Sequence, residues 1–311
     1  MTRKLNVVLL VILLFAGIPF YWLLLDTTTN GAATKPVTIG QLRTLAEEMP
    51  GEGPIEVRYE QVARRAVSSN LLAAGSGLRP VTYAIRAYQL VYRDGTWLTI
   101  DRGISRKSAQ RERVRNFDPA AQSAVDRALA GAKMRLVHAN RSHHDEPYTS
   151  KADLRPQIVR SADSGRTAPF AVAPGVILIP ADSVEPGESM VYVRAEDRRE
   201  LLFAGDIAPI GDSWIGLRPP ARAAMSLMAR RNRDEIVAWL RTIRALKAAA
   251  PGLQIVTGHG ANLPEQLSRH FAFPDPHHDQ KRLQATGIAR HDRIERPSIR
   301  RQRRPRSGSI S

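Results

Sequence analysis

Cysteine is absent from all 311 residues. A disulfide framework, a thiolate zinc site, a cysteine nucleophile and an iron–sulfur cluster are therefore excluded. Any metal chemistry must be carried by histidine and carboxylate. The compartment is left open, because exported proteins can lack cysteine too. Internal repeats and sustained heptads are also missing, which argues against a solenoid or a coiled coil. Acidic residues are outnumbered, 30 against 46 basic, for a formal charge of +16. At 43% hydrophobic and 24% charged the chain is composed like a folded protein. Its length permits one large domain or two ordinary ones.

Long apolar runs are lacking with one exception. Residues 7–25 contain no charged side chain, and nineteen residues of helix cover about 28 Å, close to a bilayer's hydrocarbon thickness. Tyr21 and Trp22 lie near the end of the run, where amphipathic rings favour the headgroup region. Arg3 and Lys4 precede it, so the positive-inside bias places the N-terminus in the cytoplasm and the remainder across the membrane. The expectation is a single-pass anchor (1–26) in the inner membrane with the domain in the periplasm. A cleaved signal peptide is the competing reading, with Gly31, Ala32 and Ala33 as a small-residue site, and a buried soluble helix is a third. The apolar run is longer than a usual signal-peptide core, which favours the anchor.

A polar linker is expected at 27–36, a globular domain at 37–273 and a basic, disordered tail at 274–311. Within the domain, residues 41–48 read as a short helix ended by Pro50 and Gly51. Residues 55–59 alternate as a half-buried strand does, and 81–92 is a strong strand signal, turning through Arg93, Asp94, Gly95 and Thr96 into a strand at 97–101. A helix is expected at 119–132, and strands at 134–137, 175–180, 190–194, 201–204 and 253–256. Residues 221–250 read as one or two helices, with Ile236, Leu240, Ile243 and Leu246 on one face. Strands followed by helix–strand alternation indicate a layered α/β fold with mixed sheets.

Three polar clusters each follow an apolar run: 138–145 with His138, His143, His144 and Asp145, then Gly205 and Asp206, then Gly258 and His259. Polar groups at strand C-termini are where open α/β folds assemble a site, and histidine with aspartate suits zinc. In order and spacing these clusters resemble the metallo-β-lactamase superfamily over residues 55–265. Asp101 and Gly103 match its strand–Asp-x-Gly element, 138–143 its H-x-H-x-D-H motif, 183–193 its third turn and strand. Asp206 and His259 match its last two strand ends. The resemblance implies an αββα sandwich of two mixed sheets and a metal-dependent hydrolase.

The motif is incomplete. Asn140 replaces the second histidine, Ser142 the aspartate, and Val184 the turn histidine. In that family the first metal position takes the two leading motif histidines and the turn histidine, of which His138 alone remains. The second takes the motif aspartate, the last motif histidine and the final histidine, with the Gly-Asp carboxylate bridging. There His143, Asp206 and His259 remain. The resemblance thus implies at most one zinc ion, with His138, His143, Asp206 and His259 as candidate ligands and Asp206 holding the metal or orienting water. His144, Asp145 or Asp182 could substitute for lost ligands, although a polar or capping turn accounts for each. The alternative is an inactive pseudoenzyme acting as a binding or scaffold module.

The charge is uneven, since residues 276–311 alone contribute +7. A contact between that tail and an anionic surface is more plausible than nucleic-acid binding by an exported domain. The substrate, a small molecule, is not identified. Arg155, Arg160 and Arg166 in the 147–173 loop could meet an anionic one, although scattered loop arginines are usually only solvated.

Overall fold

The computed structural model describes residues 2–29, 31–144, 157–228 and 231–273. Asp145, Arg155 and the 274–311 tail lie outside the described residues.

Helix α1 (Thr2–Leu25) comes first, and its most apolar stretch buries nothing against the rest of the chain. Its 24 residues span about 36 Å. Pro19 cannot donate a helical hydrogen bond, and the turns on either side, Leu13–Gly17 and Tyr21–Leu25, widen to π geometry. Helix α2 (Ile39–Ala46) begins where Thr38 Oγ1 accepts from the Gln41 N–H at 3.2 Å.

Next come β1 (Glu56–Ser68), the single turn α3 (Ser69–Leu72), and the hairpin of β2 (Pro80–Val91) and β3 (Trp97–Ile100). Gly95, at φ +80°, makes the hairpin turn possible. The chain continues through α4 (Arg106–Arg111), β4 (Asn116–Phe117), α5 (Pro119–Gly131), β5 (Met134–Leu136), β6 (Gln157–Val159) and α6 (Ser161–Ser164). Strands β7 (Phe170–Ala173), β8 (Val176–Pro180), β9 (Ser189–Arg194) and β10 (Glu200–Phe203) follow. The remaining elements are α7 (Gly211–Ile215), α8 (Arg222–Met228), α9 (Arg233–Ala249), β11 (Gln254–Val256) and β12 (Ser268–Arg269).

These strands form two mixed sheets. One runs β12-β1-β2-β3-β5-β6 with β4 beside β1, the other β11-β10-β9-β8-β7. Strand periodicity makes the layers. On β8, Val176 and Leu178 enter the core between the sheets, while Ile177 and Ile179 enter the core under α2 and α9. Val191 and Val193 of β9 face the first of these cores, Met190 and Tyr192 the second. On β2, Tyr88 and Leu90 face the sheet interface, while Tyr83, Ile85 and Ala87 pack outward with Val125 and Leu129 of α5. The result is the expected αββα sandwich.

β1 extends nine residues past its expected end at Tyr59. A register shift between Gln61 and Ala63 puts Val62 and Ala63 both in the interior and breaks the alternation there. The 221–250 stretch is two helices, the second capped by Asn232 Oδ1 accepting from the Glu235 N–H at 3.3 Å.

The polar stretch after α1 lies against the domain. Asp26 is 4% exposed and accepts from Arg222 at 3.0 and 2.7 Å and from Arg233 at 3.3 Å. Ala32 packs on Val237 and Ala238, and the Lys35 N–H donates to Thr242 Oγ1 at 2.8 Å.

Candidate metal centre

Four strand ends meet at one place: β3 at Asp101, β5 at the 138–144 loop, β10 at Asp206 and β11 at His259. The β10 and β11 loops touch because neither has a side chain at the contact. A Cβ on Gly258 would lie 2.4 Å from the Gly205 carbonyl oxygen, and one on Gly205, at φ +52°, 3.0 Å from the His138 ring.

Asp206 Oδ1 is the focus. His259 Nε2 lies 2.7 Å from it, His144 Nε2 3.4 Å and His143 Nε2 3.8 Å. The ligating atoms of these four buried residues all fall within 4.8 Å of one another. Oδ2 of the same carboxylate faces Arg141 Nε at 2.9 Å, and Arg141 also donates to Glu185 at 2.5 Å. Arg231 donates to the Asp206 backbone oxygen at 3.2 Å and lies 3.0 Å from Glu188.

Asp101 stands behind the histidines in left-handed backbone, φ 60°, which aspartate tolerates better than most residues. Its Oδ1 accepts from the His138 N–H at 3.1 Å, and its Oδ2 lies 2.7 Å from His138 Nδ1 and 2.8 Å from His144 Nδ1. His138 therefore falls in a second group with Asp101 and His144, apart from the Asp206 group in which it was expected. The reason is local. β5 ends at Leu136, and the next eight residues form a tight loop in which the Arg141 N–H donates to Ala139 O and the His144 N–H to Arg141 O, both at 2.9 Å. That loop carries His144 to Asp206 and leaves His138 clamped between Asp101 and Gly205.

The protonation states follow from burial and charge. Burial opposes ionising His144, but the carboxylates of Asp101 and Asp206 outweigh it and push its pKa up to about 10. Burial and the charge of His144 push His143 down to about 3, and burial lowers His259. Asp206 is desolvated, yet Arg141 and His144 hold its pKa well below the usual carboxylate range. Burial and the Asp206 charge keep the Tyr83 phenol protonated. Its hydroxyl lies 3.0 Å from His259 Nε2 and 3.3 Å from His143 Nε2, and its ring stacks on His259.

Two observations test whether a cation fits. Neutral His259 donates from Nδ1 to the Ala84 carbonyl at 2.8 Å, which leaves its Nε2 lone pair 2.7 Å from Asp206 Oδ1. Two acceptors at that distance are reconciled by a proton or by a metal ion, and the site is built for either. Asp101 Oδ2 likewise lies 2.8 Å from the outer nitrogen of His144, with Nε2 on the Asp206 side, the placement of carboxylates behind metal-bound histidines. Donors about 2.0–2.1 Å from one tetrahedral ion sit roughly 3.3–3.4 Å apart, so the His144 and His143 contacts are near that spacing already. The His259 contact needs to open by about 0.6 Å. Behind the group, a cavity of about 10 Å³ touches Asp101, His138, His143 and His144, the room one water needs.

Other sequence candidates go elsewhere. Val184, in the place of the turn histidine, is buried in the core under α9 and does not face the site. Asp182 accepts from the Gly187 N–H at 2.8 Å, as a turn cap. Asn140 is exposed, and Ser142 donates to Glu112. Arg141, Tyr83, Glu185, Glu188 and Arg231 were not foreseen. Arg141 lay inside the motif at an unspecified position, and nothing in the sequence distinguished the other four.

No protein-family model and no curated protein matches the sequence. Solved structures do match in three dimensions. One is a quorum-quenching N-acyl homoserine lactone lactonase at 12% identity and TM-score 0.50, covering 67% of this chain and 94% of that one. Another, an N-acyl homoserine lactone hydrolase with N-hexanoyl-L-homoserine at its catalytic metal center, matches at 11% and 0.50 with the same coverage. A probable metal-dependent hydrolase from Staphylococcus aureus matches at 11% identity and TM-score 0.51, covering 67% of this chain and 90% of that one. Such identities speak for the fold. With its four layers in αββα order and the landmark residues at the ends of its strands, this chain is built on the metallo-β-lactamase fold.

Proposed function

We propose that the chain is a membrane-anchored, metal-dependent hydrolase with one ion site, held by His143, His144, Asp206 and His259. The observation that carries this reading is the convergence of three imidazole Nε2 atoms on a single carboxylate oxygen. Imidazole and carboxylate donors suit zinc. The site is mononuclear because Arg141 takes Asp206 Oδ2, the atom a bridging carboxylate would offer a second ion. His138 supports the site through Asp101. The anchor reading is supported by the length, composition and exposure of α1.

When bound, a divalent ion polarises a carbonyl and lowers the pKa of water. The chain's own groups do the rest. Asp206 accepts through Oδ1 while Arg141 holds its other oxygen, fixing the carboxylate in one orientation. The protonated Tyr83 hydroxyl donates to an oxygen placed beside His259, where it stabilises negative charge that develops.

Metal content of the purified full-length chain tests the reading. One zinc per chain is expected, lost in His259→Ala. An ion-free protein that folds normally and takes up none on titration sinks it and favours the binding-module reading. One feature supports that rival: with His144 protonated, Asp101 and Asp206 already have cationic partners. A reporter fused after residue 311 is expected to be active outside the cytoplasm only.

A further inference from the structure

A shallow, open recess with a cavity volume of about 40 Å³ leads down to the site. Its floor is polar: Tyr83, Arg141, Asp206, Arg231 and His259. Its walls are apolar, Leu71 and Leu72 on one side and Pro220, Ala224 and Met225 on the other, contributed by α3 and by α8 with the segment before it.

The elements forming the walls also hold the end of α1. Both α3 and α8 pack on its last turn. The Gly75 N–H, just beyond α3, donates to Leu24 O at 3.3 Å. Arg222, the first residue of α8, binds Asp26 and lies over the Trp22 ring at 5.0 Å. The mouth therefore opens beside the point where the apolar helix joins the domain. Two large apolar side chains stand free in the same neighbourhood. Leu78, in the loop after Gly75, is 62% exposed, and Ile215, shortly before Arg218 reaches Ala74 O at 3.4 Å, is 60% exposed. A helix of lipid-spanning length, two exposed apolar side chains and an apolar-walled recess thus share one side of the molecule.

The floor also constrains the head of whatever enters. Arg141 is engaged by Asp206 and Glu185, and Arg231 by Glu188 at 3.0 Å and Glu185 at 3.5 Å. Both guanidiniums are matched by carboxylates, so the floor offers no spare cation for a phosphate or carboxylate head.

We propose that the substrate is a membrane-resident amphiphile whose acyl chain lies between α3 and α8 and whose uncharged ester or amide group reaches Tyr83 and Asp206. This rests on the hydrolase reading above. In the reaction, water oxygen bonds to the acyl carbon and the ester C–O or amide C–N bond breaks, its electron pair going to the leaving group. One proton from water ends on that group, and the acyl part leaves as the carboxylic acid.

The test uses the full-length chain in phosphatidylcholine vesicles. Zinc-loaded protein is given p-nitrophenyl dodecanoate and p-nitrophenyl acetate. In parallel, metal-free protein is photolabelled with a dodecanoyl amide bearing a diazirine at the chain end. The expected result is a kcat/KM ratio of ~10-fold or more favouring the long chain, with labelling on peptides containing Leu72 and Met225. Met225→Glu is expected to abolish both the preference and the labelling, and Met225→Leu to retain them. Equal rates for the two esters, or acetate hydrolysis with no label in the recess, overturn the proposal and leave the hydrolase reading standing. Labelling at Leu72 and Met225 with neither ester hydrolysed sinks the hydrolase reading and upholds the amphiphile site.

Discussion

A protonated His144 makes metal uptake a proton-exchange reaction. Its Nδ1 lies 2.8 Å from Asp101 and its Nε2 3.4 Å from Asp206, so two carboxylates flank the ring and favour its charged, doubly protonated form. Its pKa of about 10 expresses the same geometry. An ion on Nε2 must displace one proton, whereas His143, held near 3, and the lowered His259 have none to give at neutral pH. One proton per ion is expected from about pH 7 to about pH 9. Apparent zinc affinity then rises tenfold per pH unit, or about thirtyfold between roughly pH 7 and 8.5.

The sign reverses in the ion-free protein. A pKa raised by folding contributes stability in full below about 6.5, and that contribution fades as pH climbs toward 10. Calorimetric titration in buffers of different ionisation enthalpy, with zinc delivered from a chelator buffer, counts the protons directly. In His144→Gln the release and the pH slope are expected to vanish. Uptake without proton release, or a slope that persists in that variant, refutes the assignment of His144.

Three further outcomes are expected. Asp26→Ala leaves the buried Arg233 without its carboxylate and is expected to cost up to about 3–5 kcal/mol, or roughly 6–20 °C in melting temperature; a change within about 1 kcal/mol contradicts the clamp. Gly258→Ala pushes a Cβ into the Gly205 carbonyl and separates Asp206 from His259, so zinc binding is expected to fall by at least ~100-fold, read by competition with a chromophoric chelator. His138→Ala acts only through Asp101 and is expected to weaken zinc by ~10–100-fold while keeping one ion per chain; loss of the ion there, as in His259→Ala, makes His138 a ligand.

Long-range organisation was legible wherever a pattern repeated. The order of strands and helices indicated the layers, the resemblance implied the sandwich, and the spacing along α9 gave its buried face. β8 and β9, buried on both sides, showed strands without showing which residue meets which core. The pattern failed at Val62, where a bulge places two neighbours in the interior. β6 and β7 were missed as edge strands of three and four residues, too short to show alternation. His143, Asp206 and His259 could be named because each follows an apolar run. His144 replaced His138 through a loop conformation that spacing does not encode. Tyr83 and Arg231 reach the site from a strand face and a helix start with no local mark of their role.

The grip on Asp26 also bears on whether α1 is kept. Proteolysis at Gly31, Ala32 or Ala33 would carry away Asp26 and Thr28, whose oxygens accept from the Arg233 guanidinium. Arg233, 8% exposed in the full chain, would lose these acceptors. The scissile region itself is masked by the seating of Ala32 on Val237 and Ala238. A chain shortened there is expected to melt lower than the full-length one, a difference that calorimetry of the two forms measures.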